Sequence, residues 1–470
     1  MVKLACPRLV IAGTASGVGK TSLTLGLVRA LARQGLRVQT FKVGPDFLDP
    51  TYLARASGRT CYNLDGWMSG RPYVGQLFAQ ATADADLAII EGVMGMFDGA
   101  SPCGLEGSTA EIASWLNAPV LLVVDAHGAA RSLAATVKGF AEFEANVCVA
   151  GVVANRSGSQ QHRAWLAAAL AAASLPPLVG AVPRDAFPAL ESRHLGLVTA
   201  DRQSLTDRAL EQLADACCDH VDLPLVATLA RSAPAIEVEE DRGVGQAHAA
   251  SAGPRCGRPA FRLGIARDEA FHFYYSDNLE ALERSGAKLV PFSPLADGAL
   301  PADLDALYLG GGYPEVHAAS LAGNAGMLES VRQFAGVRPI YAECGGLIYL
   351  ARSVTALDGT RHPLAGVLPI DVNMLRSLKA LSYVEVSLLA DGLWGPAGAV
   401  CRGHEFHYSE ITADDSQRHG WRRAYAMRCR GRVAEEGFAK GRVLASYVHL
   451  HWASRSEVVS GFVSRCGRGR

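Results

Sequence analysis

The feature that most constrains this chain lies near its start, in the run Leu9-Val-Ile-Ala-Gly-Thr-Ala-Ser-Gly-Val-Gly-Lys-Thr-Ser22. Leu9 to Ala12 is apolar throughout and predicts a short buried strand. Gly13 to Gly19 is a glycine-rich turn, and Lys20-Thr21 opens an amphipathic helix with apolar positions at Leu23, Leu25, Leu27, Val28 and Leu31. Strand, glycine turn and helix in this order form a phosphate cradle. Backbone N–H groups at the helix start face the anion, Lys20 reaches the outer phosphates, and the Thr21 hydroxyl is suited to Mg²⁺. The spacing departs from the common pattern: the usual first glycine falls on Thr14, and Gly13 precedes it. A glycine turn beside an ordinary surface lysine is the plainer alternative, and the flanking strand and helix argue against it. The candidate nucleotide ligands are Gly13, Thr14, Gly17, Val18, Gly19, Lys20 and Thr21.

Alternation of short apolar runs with helical stretches continues to about residue 228. Arg37–Lys42, Leu87–Glu91, Val120–Val124, Val147–Ala154 and Leu178–Val182 read as strands, Thr109–Leu116 and His162–Ala172 as helices. That is the pattern of a parallel sheet covered on both faces. The composition shifts between about Ser232 and Pro259 to an acidic run followed by Gly, Ala, Ser and His, which predicts a flexible linker. A second alternating pattern starts at Arg262 and is expected to run to the end, with strands at Leu307–Leu309, Pro339–Ala342 and Val443–Tyr447. The expected architecture is α/β: a phosphate-binding parallel-sheet domain over 1–230, a linker over 231–259 and a second α/β domain over 260–470.

With 45 basic and 46 acidic side chains the net charge is −1, so no basic field points to nucleic acid or an anionic membrane surface. The eleven cysteines are scattered and form no C-x-x-C pair, which argues for a reducing, cytoplasmic setting rather than a disulfide framework. No signal peptide and no spanning apolar run are expected.

The first half carries further polar groups at predicted strand ends. Lys42, Asp46 and Asp49 follow the second strand on a loop with two prolines; a carboxylate there can hold Mg²⁺, and Lys42 can neutralise a transferring phosphoryl group. A solvated polar turn is the bland alternative. Glu91 ends the Leu87–Glu91 run ahead of a glycine-rich loop and is a second candidate Mg²⁺ ligand. Asn155, ending another run, is a candidate for reading an adenine edge. Partitioning-type switch ATPases carry a lysine five residues before the cradle lysine; here that position is Ala15, which disfavours a switch.

In the second half, Pro339-Ile-Tyr-Ala-Glu-Cys344-Gly-Gly-Leu-Ile reads as a strand, a sharp turn and a helix. Such an elbow exposes a thiol against a helix start that favours thiolate. The upstream Leu309-Gly-Gly-Gly-Tyr-Pro-Glu315 loop brings N–H groups close, and Gly311, Gly312 and Gly345 are expected to form an oxyanion hole. His449 and His451 supply a base for the thiol. A zinc site from His404, His407, His449 and His451 lacks the metalloprotease spacing.

A thiol elbow and a Gly-Gly-Gly-Tyr-Pro-Glu loop behind a phosphate-binding domain resemble the cobyrinate a,c-diamide synthase family. The match is carried by residues 13–21, 42–50, Tyr-Asn-Leu-Asp at 62–65, Glu-Gly-Val-Met-Gly-Met-Phe-Asp-Gly at 91–99, Glu-Cys-Gly-Gly at 343–346, Arg-Gly-His-Glu-Phe-His-Tyr-Ser at 402–409 and Tyr-Val-His-Leu-His at 447–451. The cradle alone is similar to that of dethiobiotin synthetase. The resemblance implies ATP- and glutamine-dependent amidation of two carboxylates of a tetrapyrrole: cobyrinate, or by the same chemistry hydrogenobyrinate or nickel-sirohydrochlorin. It implies Mg²⁺ at Thr21, Asp46 and Glu91, an acyl phosphate formed with Lys42 and Asp46, and a glutamine thioester on Cys344. It further implies His449 as base and a closed ammonia path between the domains. Many glutamine amidotransferases carry Glu two residues after the base; here that position is His451, so a Cys344–His449 dyad is expected. A homodimer is left open. From a different class, a nucleotide-switched binding protein with an inactive second domain is the competing reading, and the intact elbow argues against it.

Overall fold

The computed structural model describes residues 2–188, 205–238, 261–455 and 457–466. The chain divides into two compact units, Met1–Glu240 and Asp241–Arg470. In the first unit seven parallel strands lie in the order Tyr62–Leu64, Val38–Val43, Leu87–Glu91, Arg8–Gly13, Val120–Asp125, Val149–Ser157 and Leu178–Pro183. Alternate strand residues point to opposite faces. Leu9 and Ile11 join one buried core and Val10 and Ala12 another, which explains an apolar run where a half-exposed strand would alternate with polar residues. The Lys20–Arg33 helix fills the first of these cores with Leu23, Leu27, Val28 and Leu31.

The sequence-predicted strands are present, with ends displaced by one to three residues, because the polar residues at strand tips still pair with their neighbours. Part of the expected linker is ordered into the first unit. Ile236–Val238 pairs antiparallel with Val2–Leu4, and Ile236 and Val238 enter the core while Glu237 faces out. The acidic neighbours masked this short alternation. The remainder of that stretch, 239–259, lies outside the described residues.

The second unit opens with a parallel sheet, in the order Ala287–Phe292, Phe261–Ala266, Ala306–Leu309, Ile340–Glu343 and Val443–Ser446. Here the alternating α/β pattern stops short of the expected end. Antiparallel strands Arg432–Lys440, Arg422–Cys429, Ala380–Leu388 and Val400–His407 extend the same sheet, and His449–Leu450 pairs with the last of them. A four-stranded sheet stands beside it, and its Leu368–Met374 strand alternates buried and half-buried positions. Such alternation, without helices between strands, is what an antiparallel sheet with one wet face requires. Ser446 and His449 are close in the chain yet sit at different places in the strand order, so the antiparallel strands curl back toward the parallel ones.

Candidate active sites

Register builds the first site. Lys42 lies opposite Glu91 across adjacent parallel strands, and Glu91 opposite Ile11 on the strand that leads into the glycine turn. All three groups thus emerge at the carboxyl end of the sheet, where open α/β sheets bind ligands. Lys42 Nζ is buried between Asp49 Oδ2 at 2.7 Å and Glu91 Oε1 at 3.0 Å, and donates to the Gly92 carbonyl at 3.2 Å. Burial works against this ammonium, but Asp49 and Glu91 outweigh it and hold its pKa above the ordinary lysine range. Burial, with Lys42 opposing and the charge of Asp49 adding, pushes the Glu91 carboxyl up. The Thr21 hydroxyl donates to Glu91 Oε1 at 2.7 Å.

The sequence-predicted residues are not all equivalent. Asp49, rather than Asp46, makes the direct contact with Lys42. Asp46 Oδ1 accepts the N–H groups of Leu48 and Asp49 at 2.8 and 2.9 Å and so starts the Asp49–Ser57 helix. Pro50 at the head of that helix was visible in the sequence and signals a helix start rather than a loop.

The glycine turn is held open by its carbonyls. Asn155 Nδ2 donates to Val18 O at 2.8 Å and Arg156 Nη2 to Gly17 O at 2.8 Å. Because C=O and N–H point oppositely across a trans peptide, these bonds turn the N–H groups of Gly19 and Val18 the other way. Gly19 has φ +98°, and a Cβ there would fall 2.1 Å from Asn155 Nδ2. Asn155 therefore braces the turn, a contact its expected place at the adenine edge did not include. The Thr14 N–H, expected on the ligand, is donated to Val123 O at 3.1 Å. Lys20 Nζ donates to Ala15 O at 3.1 Å and to Met94 O, tying the cradle to the 92–97 loop. Burial, and then the charge of Lys42, push Lys20 down to about 8.

The residues present suit Mg²⁺. A hydroxyl and carboxylates are hard oxygen donors, and Glu91 Oε2 is fully buried without a hydrogen-bond partner, as an oxygen reserved for a cation would be.

The second site is an elbow. Cys344 has φ +46° and ψ −99°, costly for a side chain with a Cβ at about 1–3 kcal/mol. Its N–H donates to Ser446 O at 2.7 Å, and Gly345–Leu350 follows as a short helix. Its Sγ lies 3.7 Å from Phe406 O, reached because the antiparallel strands curl back. Burial, with Glu315, Glu343 and Glu405 nearby, pushes the thiol well up, the Gly345 N–H opposing. The expected resting thiolate is thus not what the structure supports: burial, with the neighbouring carboxylates adding, outweighs the start of the short helix.

The glycine loop packs between elbow and base. A Cβ on Gly311 would lie 2.4 Å from His449 Cε1, and one on Gly345 would lie 3.0 Å from Gly312 N. Gly311, Gly312, Gly345 and His449 are therefore brought together. The Gly310 N–H, by contrast, donates to the Tyr274 hydroxyl at 2.9 Å. His449 is fully buried, and burial, with His407 adding, pushes it down to about 3. His451 lies elsewhere: its Nε2 is 3.4 Å from Asp277 Oδ2. Glu343, which no spacing in the sequence singled out, accepts Tyr308 Oη at 2.7 Å, Tyr341 Oη at 2.6 Å and the Leu450 N–H at 3.0 Å. Among the described residues no group of His, Cys, Asp and Glu forms a metal cluster, and no helix is long and apolar enough to cross a membrane.

Comparison with known proteins agrees with this division. Residues 9–198 match the CobQ/CobB/MinD/ParA nucleotide binding domain, and residues 262–457 the CobB/CobQ-like glutamine amidotransferase domain. A cobyrinate a,c-diamide synthase of Syntrophotalea carbinolica is 58% identical, covering 98% of this chain and 99% of that protein. One of Leptospira interrogans is 42% identical over 98% and 99% of the two chains. A hydrogenobyrinate a,c-diamide synthase of Rhodobacter capsulatus is 41% identical over 94% and 98%.

Proposed function

Because the chain belongs to the cobyrinate a,c-diamide synthase family, we propose that its two sites divide one reaction, the amidation of the a and c carboxylates of cobyrinate. The chain is a carbon–nitrogen ligase that uses ATP and draws nitrogen from glutamine. A carboxylate resists ammonia because hydroxide is a poor leaving group, so the carboxylate has to be activated. At the cradle, a carboxylate oxygen of the tetrapyrrole attacks the γ-phosphorus of ATP, ADP leaves, and an acyl phosphate forms. Lys20 and the turned N–H groups hold the phosphates, and Lys42 balances charge on the transferring group. Thr21 and Glu91, with Asp46 near, would hold Mg²⁺, which neutralises phosphate charge when bound.

At the elbow, Cys344 Sγ attacks the glutamine side-chain carbonyl while His449 takes the thiol proton. The oxyanion accepts N–H groups of Gly312 and Gly345. Collapse of the adduct expels ammonia, which leaves with the proton from His449, and water hydrolyses the thioester to glutamate. Ammonia then displaces phosphate from the acyl phosphate. Both resting partners are neutral, because burial raises the thiol and lowers the imidazole, so the ion pair forms only as the substrate carbonyl arrives.

The observation that carries this reading is the buried Thr21–Glu91–Lys42–Asp49 chain at the mouth of the cradle, an arrangement for stabilising phosphoryl charge. Mass spectrometry of products from cobyrinate, hydrogenobyrinate and nickel-sirohydrochlorin, each with ATP, Mg²⁺ and glutamine, tests it. Cobyrinate diamide is the expected product. Exclusive turnover of another substrate overturns the assignment, and hydrogenobyrinate is the alternative that the Rhodobacter relative favours. Cys344→Ser should abolish glutamine-driven amidation and retain ammonia-driven amidation.

A further inference from the structure

We propose that His404 is the positioning residue for His449, taking by ring stacking the part that a carboxylate takes by hydrogen bonding in a Cys-His-acid triad; this rests on the Cys344–His449 reading above. His404 sits directly opposite His449 in the antiparallel pair of Val400–His407 with His449–Leu450. Their rings stack with centroids 4.9 Å apart and planes 14° from parallel. The backbones approach so closely here that a Cβ on Gly403 would lie 2.1 Å from His449 O. On its other sides the His449 ring meets Gly311, and Phe273 with centroids 6.4 Å away.

His404 is itself pinned. The Tyr275 hydroxyl lies 3.0 Å from His404 Nδ1, and the Tyr275 ring lies 4.7 Å from His451, which meets Asp277 at 3.4 Å. The position two residues past the base, where related enzymes carry the acid, thus holds an imidazole whose carboxylate partner comes from another element, the Ser276–Arg284 helix. The groups facing the stacked pair are Tyr275, His451 and, toward His449, His407; burial holds His404 neutral, with His449 and His451 adding to the effect.

Chemically the stack differs from a carboxylate in one respect. It restrains the plane of the base through a ring that is itself uncharged. When Cys344 loses its proton to His449, the new imidazolium meets the π face of a neutral ring rather than an anion, an attraction of the cation–π kind. Plane restraint, not charge neutralisation, is therefore the quantity to perturb.

The test uses full-length enzyme carrying His404→Ala, His404→Phe or Tyr275→Phe. Glutaminase kinetics, ammonia-driven amidation and the pH dependence of Cys344 alkylation by a chloroketone analogue of glutamine are measured for each. His404→Ala should lower glutaminase kcat about 100-fold, the usual cost of a misplaced catalytic group, with little change in the glutamine KM. His404→Phe keeps a flat ring and should recover most of the loss, and Tyr275→Phe should fall between. Ammonia-driven amidation should persist in all three. A His404→Ala enzyme with wild-type glutaminase kcat overturns the proposal, as does a His404→Phe enzyme no better than His404→Ala. If His404→Ala also loses ammonia-driven amidation, the fold has failed and the other two variants decide. Glutaminase activity surviving in His449→Ala would instead overturn the underlying dyad.

Discussion

Replacing Lys42 with Met removes the ammonium in direct contact with two buried carboxylates. The side chain of Lys42 is 4% exposed, and those of Asp49 and Glu91 are 5% and 0% exposed. Breaking a buried pair by removing one partner costs about 3–5 kcal/mol, because the remaining charge stays desolvated. For a unit of this size that corresponds to a fall in melting temperature of about 10 °C. The carboxylates can recover part of the loss by taking a proton. Glu91 is already pushed up by burial and Asp49, and Lys42 opposes that rise, so without Lys42 it moves higher. A carboxyl whose pKa is raised on folding binds its proton more tightly in the folded state. The defect is therefore full above the raised pKa and shrinks as pH falls toward the unfolded carboxyl range of about 4.3. Calorimetry of the full chain at pH 8 and pH 6, with the first transition identified by its shift on adding an ATP analogue, measures this. Lys42→Met should melt lower at pH 8 than at pH 6 relative to wild type, and adding Asp49→Asn should restore part of the loss. A variant melting within about 2 °C of wild type at both pH values would refute the reasoning.

Lys20, held down to about 8 by burial and Lys42, should regain its proton against phosphates. Nucleotide binding measured by titration calorimetry in buffers of different ionisation enthalpy should take up a proton at pH 8.5 and none at pH 6.5; equal uptake at both contradicts the shift. Gly311→Ala places a methyl group 2.4 Å from His449 Cε1 and should lower glutaminase turnover about 100-fold while ammonia-driven amidation continues. Unchanged glutaminase turnover would mean that the loop does not touch the base. The second unit buries His272, His404, His407 and His449 with lowered pKa values and Glu315, Glu343, Glu405 and Glu436 with raised ones. The histidines contribute stability that is lost as pH falls below about 6.5, and the glutamates contribute stability that is gained as pH falls below about 7, so the two trends oppose. The melting temperature of the second transition should vary little between pH 5 and pH 6.5, and Glu436→Leu should expose a steeper acid loss.

The sequence was most readable where one local pattern determines one structure. Leu9–Lys20 names its strand, turn and helix because an apolar run, glycines and a lysine each permit few alternatives. Cys344 was legible as an elbow for the same reason, with Gly345 and Gly346 behind it. The choice between Asp46 and Asp49 was not, since both carboxylates share a turn and only folded contacts separate them: Asp49 on Lys42, Asp46 on the N–H groups of Leu48 and Asp49. The stack of His404 on His449 depends on the register of strands distant in sequence, which periodicity does not encode. The resting state of the thiol depends first on its burial and then on Glu315, Glu343 and Glu405, an environment that segments distant in sequence build only in the folded chain.

The bond from the Leu450 N–H to Glu343 joins the residue just before the nucleophile to the residue just after the base. In mechanical terms it is a clamp that sets the spacing of thiol and imidazole at their own strands. The hairpins between them, from Ala351 to Lys440, attach outside that clamp. Apart from the Val400–His407 strand, which carries His404 and the Phe406 carbonyl, they can lengthen, bend or exchange side chains without altering the reaction distance, so those parts of the chain are free to be reshaped for recognition while the chemistry stays fixed.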